Sequence, residues 1–264
     1  MEHALKVKSR LRSGETVFSA WITFGSTGIA EVVAGSGFDI VLIDTEHTSI
    51  GLDMLEAMIA AMGRWRPVCI VRVPGADPVL IKRILDIGAD GIIFPGIMNA
   101  EEARRAVSLC KYAPAGTRGY GPRRATNYYR ETDAYVGAAN DALFVIPQIE
   151  HISAVEHADA IAAVPGVDVI CLGPMDLSLS AGLLGQLDHP TITASIDRIC
   201  DAARKRSLPV CLGMAVPPGE QPYWVNKGAR LVIASDDLQV LRRGMDLNLR
   251  QCQELLASPS AKGG

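Results

Sequence analysis

Three ionisable side chains crowd into one short stretch, "IDTEH" at 43–47, where Asp44, Glu46 and His47 follow the apolar run "FDIVL". A carboxylate beside an imidazole can move a proton, and two carboxylates beside each other can hold a cation. Four other places carry similar potential. Arg72 interrupts the apolar segment "VCIVRV", and arginine is rarely buried without a partner or a task. Gln148 and Glu150 stand in "PQIEH", Asp176 closes "GPMD", and Asp236 and Asp237 follow "RLVIAS". If Glu150 and Asp176 lie side by side, their mutual repulsion has two remedies: one takes a proton, or a cation sits between them. Oxygen-only ligands with open positions suit Mg²⁺ or Mn²⁺. The competing reading makes the pair helix-capping carboxylates, and makes Arg72 one half of a structural ion pair.

What positions these groups is a repeating pattern. Eight short runs rich in β-branched residues recur: 16–24, 39–44, 68–73, 91–97, 144–150, 167–173, 210–215 and 230–235. Most are apolar throughout instead of alternating, as in strands of a parallel sheet covered on both faces. Amphipathic segments separate them, at 51–65, 77–89, 99–112, 152–164 and 191–207. Asp77 followed by Pro78, and Asn99 followed by two acids, read as helix starts. Strand–helix alternation eight times over predicts one (β/α)₈ TIM barrel spanning 1–264, with its chemistry at the C-terminal ends of the strands. Every candidate above falls at such an end. Two segments break the rhythm. The stretch 114–135 reads as a long loop, functional or interfacial. A last helix at 237–256 aligns Leu238, Leu241, Met245, Leu249, Cys252 and Leu256 on one stripe, which must pack on its own barrel or on a neighbouring subunit.

Composition excludes several classes. The formal net charge of −3 lacks the basic footprint of a nucleic-acid partner. No apolar run reaches membrane-spanning length, so no membrane partner is expected. The charged start "MEHALKVKSRLRSGE" has no apolar core, so no signal peptide is expected. Six cysteines without a CxxC pair read as buried thiols of a reduced compartment, which predicts a cytoplasmic protein. His151 and His157, six residues apart, read as ordinary helix residues, and His189 as a loop residue. All seven lysines map to helices or termini, so a Schiff-base lysine at a strand end is not expected.

Five segments together, "FDIVLIDTEH", "VRVPGADPVLIKRILDIGADGIIFPGIMNAEEARRAV", "YAPAGTRGYGPRRA", "PQIEH" and "VDVICLGPMDLSLSAGLLG", resemble the HpcH/HpaI aldolase/citrate lyase family over about residues 5–250. These are class II, metal-dependent pyruvate aldolases of the phosphoenolpyruvate/pyruvate barrel superfamily. The resemblance implies reversible retro-aldol cleavage of a 4-hydroxy-2-oxo acid to pyruvate and an aldehyde, with Mg²⁺, Mn²⁺ or Co²⁺ as cofactor. It implies Glu150 and Asp176 as metal ligands, and Arg72 against the keto oxygen with Gln148 nearby. His47 becomes the acid/base, supported by Asp44, and Glu46 holds a metal-bound water. The turn at Gly173 and the amides of Met175 and Asp176 would take the pyruvate carboxylate, with Trp21 at the mouth. Met175, Leu212 and Val216 would set pocket size. It also implies a homo-oligomer, trimer or hexamer, that exchanges the C-terminal helix. Thr45, Met175 and His151 depart from the family's usual Gly, Ala or Asn, and Thr. The rival readings are a CoA-ester lyase of the citrate lyase β type, with Arg123 and Arg124 near phosphates, and a non-catalytic oxo-acid-binding barrel.

Overall fold

A computed structural model describes residues 1–257. Eight parallel strands close in sequence order into a barrel, with β8 returning to β1. They are β1 (Val17–Ile22), β2 (Ile40–Asp44), β3 (Val68–Arg72), β4 (Gly91–Phe94), β5 (Phe144–Ile149), β6 (Ile170–Leu172), β7 (Val210–Leu212) and β8 (Ala229–Asp236). Each lies within or beside the run expected for it, and the TIM-barrel reading of the sequence holds.

The pattern of side chains explains the closure. Alternate residues along each strand face opposite sides. One set fills the barrel interior, including Trp21, Leu42, Ile70, Phe144, Ile146 and Ile233. The other set, with Ile43, Val71, Ile92 and Leu172, packs outward beneath the helices. Both sets are buried, so no polar alternation appears in the sequence.

The connecting helices are α1 (Glu2–Arg12), α2 (Thr27–Gly35), α3 (Leu52–Ala61), α4 (Pro78–Asp86), α5 (Ala100–Cys110), α6 (Thr132–Ala142), α7 (Ala158–Ala162), α8 (Pro174–Ser180), α9 (Pro190–Lys205), α10 (Gln221–Lys227) and α11 (Asp237–Ala257). The expected starts of α4 and α5 are realised: Asp77 accepts from the amides of Val79 and Leu80, and Asn99 from those of Glu101 and Glu102. The segment 152–164 begins as a 3₁₀ turn over Ile152–His157, with His151 as its cap. His189 is likewise a cap, of α9, its Nδ1 accepting from the Thr191 amide at 3.2 Å. The expected loop 114–135 ends early, because α6 begins at Thr132. Arg118 anchors that loop, buried against Asp86 at 2.7 Å and Tyr135 at 3.2 Å. Arg124 donates to the Ile87 carbonyl at the end of α4, away from the strand C-termini.

Of the two placements expected for the closing helix, packing along its own barrel is not the one observed. No residue of α11 is buried, and Leu241, Met245 and Leu249 on its apolar stripe are exposed. It does not pack along its own barrel. Only its start is anchored, where the Asp237 carboxylate accepts from the amides of Thr23 and Phe24 and from the Thr23 hydroxyl. Asp236 accepts from the Gln239 amide in the same turn. The two carboxylates expected at the end of strand eight thus fasten the start of the helix.

The opposite end of the barrel holds the buried lysines. Lys8 donates to the carbonyls of Asp141 at 2.8 Å and Leu143 at 2.7 Å, and meets Asp168 at 2.8 Å. Burial outweighs Asp168 and lowers its pKa from 10.5 to about 8. The folded chain thus releases this proton first. Between about 8 and 10.5 the unfolded chain binds more protons, so this group makes stability rise with pH. The melting temperature of the native chain minus that of Lys8→Met should shift in the native chain's favour between about pH 7.5 and about pH 10. A difference independent of pH would remove Lys8 from that role.

Candidate active site

The C-terminal ends of β2 and β3 build the first half of the site. Their register pairs Asp44 with Arg72. Asp44 Oδ1 accepts from Arg72 Nε at 2.9 Å and Oδ2 from Nη2 at 2.7 Å, a bidentate grip on a buried guanidinium. Beneath it lies Trp21, its ring centroid 4.7 Å from the guanidinium carbon. Glu46 Oε2 approaches the same Nε at 3.2 Å. Thr45 gives both its amide, at 2.9 Å, and its hydroxyl, at 2.6 Å, to the Arg72 carbonyl. A glycine there would keep only the first bond. The Thr45 departure thus ties the end of β2 to the end of β3.

This geometry reassigns the carboxylate beside His47. Asp44 gives both oxygens to its register partner Arg72, and Oδ1 also accepts from the Glu46 amide at 3.1 Å. The carboxylate nearest the imidazole is Glu46, Oε2 standing 3.6 Å from Nε2. His47 is otherwise open, its side chain 64% exposed, so it can reach a ligand at the mouth. Burial pushes the Glu46 carboxyl above its usual range, against the pull of Arg72 and His47.

The second half comes from β5 and β6. Gln148, buried in β5, donates its amide to Glu150 Oε2, and the Gly96 amide donates to Oε1 at 2.6 Å. Burial raises the Glu150 pKa most, those two bonds lower it, and Asp176 raises it again. Asp176 lies in the first turn of α8, exposed beside the equally exposed Met175. Gly173, the N-cap of α8, is required by close approach. A Cβ there would lie 2.7 Å from both Cβ and Oε2 of Glu150 and 3.1 Å from Gln148 Nε2. No larger residue leaves Glu150 where it is.

Leu212 does not belong to this mouth. Cys211 faces the barrel interior, so its neighbour Leu212 faces outward and is buried under the helices, as is Val216. Of the residues expected to set pocket size, Met175 is the one at the surface of the mouth.

Asp44, Glu46, Glu150 and Asp176 stand against one guanidinium, Arg72. Mutual electrostatic effects link Glu46 to Glu150 and Glu150 to Asp176. Among the described residues, no three His, Cys, Asp or Glu side chains form a metal cage. A hard cation held by two carboxylates, with water and substrate completing its shell, fits this excess of charge and oxygen-only donor set.

The profile of the HpcH/HpaI aldolase/citrate lyase family matches residues 18–241. The chain belongs to that family. It is 35% identical over 241 residues to a 4-hydroxy-2-oxo-heptane-1,7-dioate aldolase of Salmonella paratyphi C, covering 90% of this chain and 91% of the relative. It is 34% identical over 252 residues to a 2-dehydro-3,6-dideoxy-6-sulfogluconate aldolase of Pseudomonas putida, covering 94% and 99%. A solved structure of a family member from Burkholderia cenocepacia superimposes with a TM-score of 0.88 at 32% identity, over 94% of this chain and 99% of that one. The chain is thus a carbon–carbon lyase of the aldolase kind.

Gly173→Ala should lower the turnover of this lyase at least about ten-fold, by displacing Glu150, and cost about 1–3 kcal/mol of stability through overpacking. Steady-state kinetics and a thermal melt check both. Unchanged turnover would show that Glu150 need not stand where it does.

Proposed function

We propose that the chain is a divalent-metal-dependent pyruvate aldolase, cleaving a 4-hydroxy-2-oxo acid to pyruvate and an aldehyde and running in reverse with the same groups. The observation that carries this reading is the set of charges at the mouth. Asp176 is near enough to raise the Glu150 pKa, which makes the two an oxygen-donor set for a cation, and Arg72, near enough to lower it, is locked by Asp44 over Trp21.

Glu150 and Asp176 would hold Mg²⁺, Mn²⁺ or Co²⁺, which supplies Lewis-acid polarisation of the keto oxygen. Arg72 donates to that oxygen as the carbon–carbon bond breaks and negative charge develops there. Asp44 keeps the guanidinium plane fixed, so little reorganisation is needed when the charge appears. His47, exposed toward the mouth, takes the 4-hydroxyl proton of the substrate. Glu46, and not Asp44, stabilises the resulting imidazolium. The Met175 and Asp176 amides lie in the first turn of α8, where helix amides lack intrahelical acceptors, and would bind the substrate carboxylate. Gly173 lets Glu150 and that turn approach each other.

Two features weigh against the alternatives. Each described lysine lies on a helix or, for Lys111, at a helix C-cap, and the buried pair Lys8 and Lys111 bonds carbonyls that precede β5. Schiff-base chemistry therefore has no amine at the mouth among the described residues. Arg124, a candidate for a coenzyme A phosphate, is held by the Ile87 carbonyl at the end of α4, away from the strand C-termini.

A panel of aldehydes incubated with pyruvate and Mn²⁺, with products read by mass spectrometry, tests the reading and names the aldehyde. Release of pyruvate from at least one 4-hydroxy-2-oxo acid is expected. Turnover confined to coenzyme A thioesters would overturn it.

We further propose that a second copy of the chain covers the α11 stripe in a homo-oligomer, a trimer or hexamer. Leu238, Leu241, Met245 and Leu249 are all exposed on it, more apolar surface than a lone chain usually leaves to water. Light scattering should find an oligomer, and a chain ending before Leu241 should run as a smaller species. A monomeric full-length chain would sink this assignment. Among the described residues no helix is long and apolar enough to cross a membrane. The five buried cysteines are free thiols, in keeping with a reduced, cytoplasmic setting.

A further inference from the structure

The interior row beneath the mouth contains two thiols where the rest of the barrel lining is mostly aliphatic or aromatic. Parallel register sets Gln148 of β5 opposite Cys171 of β6, and Cys171 opposite Cys211 of β7. Three neighbouring strands thus carry one polar row. All three side chains are buried. The row has a direction. Cys211 Sγ donates to the Leu212 carbonyl at 3.4 Å, and Cys171 Sγ donates to Gln148 Oε1 at 3.5 Å. Gln148 Nε2 in turn donates to Glu150 Oε2.

The order of these bonds follows from Glu150. An ionised carboxylate only accepts, so it demands the NH₂ end of the Gln148 amide. That turns Oε1 inward, into a core where a carbonyl oxygen without a donor is costly. Among the described residues, the donor it meets is the Cys171 thiol. A valine at 171 would fill the core but leave Oε1 without that donor.

We propose that Cys171 is a positioning residue of the active site, its thiol fixing the Gln148 amide and, through it, the Glu150 carboxylate. The proposal rests on the reading of Glu150 as part of the site. Cys171 needs no contact with substrate for this. It needs to keep its proton, and the neighbouring Cys211 together with burial holds its pKa well above the usual thiol value.

The test is a double-mutant cycle in the full-length chain. Cys171→Ala and Cys171→Val remove the donor, the second nearly conserving volume, and Cys171→Ser restores an O–H. Each is made with Gln148 intact and in a Gln148→Leu background, and kcat, KM and the melting temperature are measured. The donor-free chains should lose roughly three- to ten-fold in kcat/KM, the usual effect of one hydrogen bond. Cys171→Ser should recover most of that loss. Neither loss should appear once Gln148 is leucine, because the route to Glu150 is already cut. The same factor in both backgrounds, or a lower melting temperature with kcat/KM untouched, would overturn the proposal and leave Cys171 a packing residue. Glu150→Gln serves as the control. Full turnover there would defeat the site reading itself, a different result from any the Cys171 chains can give.

Discussion

Arg72→Lys should lower kcat for oxo-acid cleavage by about 10²–10³, the usual effect of losing one donor to a developing oxyanion. The substitution keeps the positive charge, so the loss isolates geometry. In the native chain Nε and Nη2 are committed to Asp44 at 2.9 and 2.7 Å, and the guanidinium plane lies over Trp21. Those contacts fix where the remaining N–H groups point. A lysine ammonium is a single charge on a flexible stem and cannot grip a carboxylate with one edge while donating with another. It would stay near Asp44 and Glu46 and leave the keto oxygen. Asp44→Asn should act in the same direction with a smaller effect, because an amide replaces one of two acceptors. KM should change less than kcat in both chains, since the oxygen carries most charge in the transition state. A thermal melt must show that the variants remain folded. Turnover of Arg72→Lys within about three-fold of the native chain would take Arg72 out of the charge-stabilising role.

The sequence revealed strands better than partners. All eight strands are legible because both of their faces are buried, which writes continuous β-branched runs. Helices α4 and α5 are legible from Asp77 and Asn99, whose side chains bond the backbone within three residues. Helix α6 is hidden because its start, Glu131, makes no side-chain cap, and α2 because its residues are as apolar as a strand's. Residues that meet across strands are a different matter. Asp44 lies three positions from His47 and twenty-eight from Arg72, yet register, not chain distance, chose its partner. The same holds for the row from Gln148 to Cys211. Leu212 shows the cost of a parity error, since one step along β7 moves a side chain from the interior to the outer core. The stripe on α11 is plain in the sequence, but what covers it is not written in one copy of the chain.

Stripping divalent metal with a chelator should reduce oxo-acid cleavage to background, and Mg²⁺, Mn²⁺ or Co²⁺ should restore it. The argument begins with charge. Four carboxylates face one guanidinium at the mouth, and Arg72 is already shared by Asp44 and Glu46. Among the described residues, Glu150 and Asp176 have no ion-pair partner of their own. Glu150 is held in place by Gly96 and Gln148, so the protein itself fixes where this carboxylate stands. Removing the cation should therefore cost activity and not the fold, because the core of this barrel is built without it. Glu150→Gln makes the same point from the protein side. It keeps size and shape, deletes one charge and one strong acceptor, and should weaken Mn²⁺ binding measured by calorimetry. Excess metal should then restore only part of the activity lost, since a neutral amide is a poorer ligand for a hard cation. Asp176→Asn should behave alike, with a melting temperature nearer the native value because Asp176 is exposed. Full turnover by the native chain after exhaustive chelation would remove the cation from the reaction. Arg72 and the first-turn amides of α8 would then have to carry the developing charge alone.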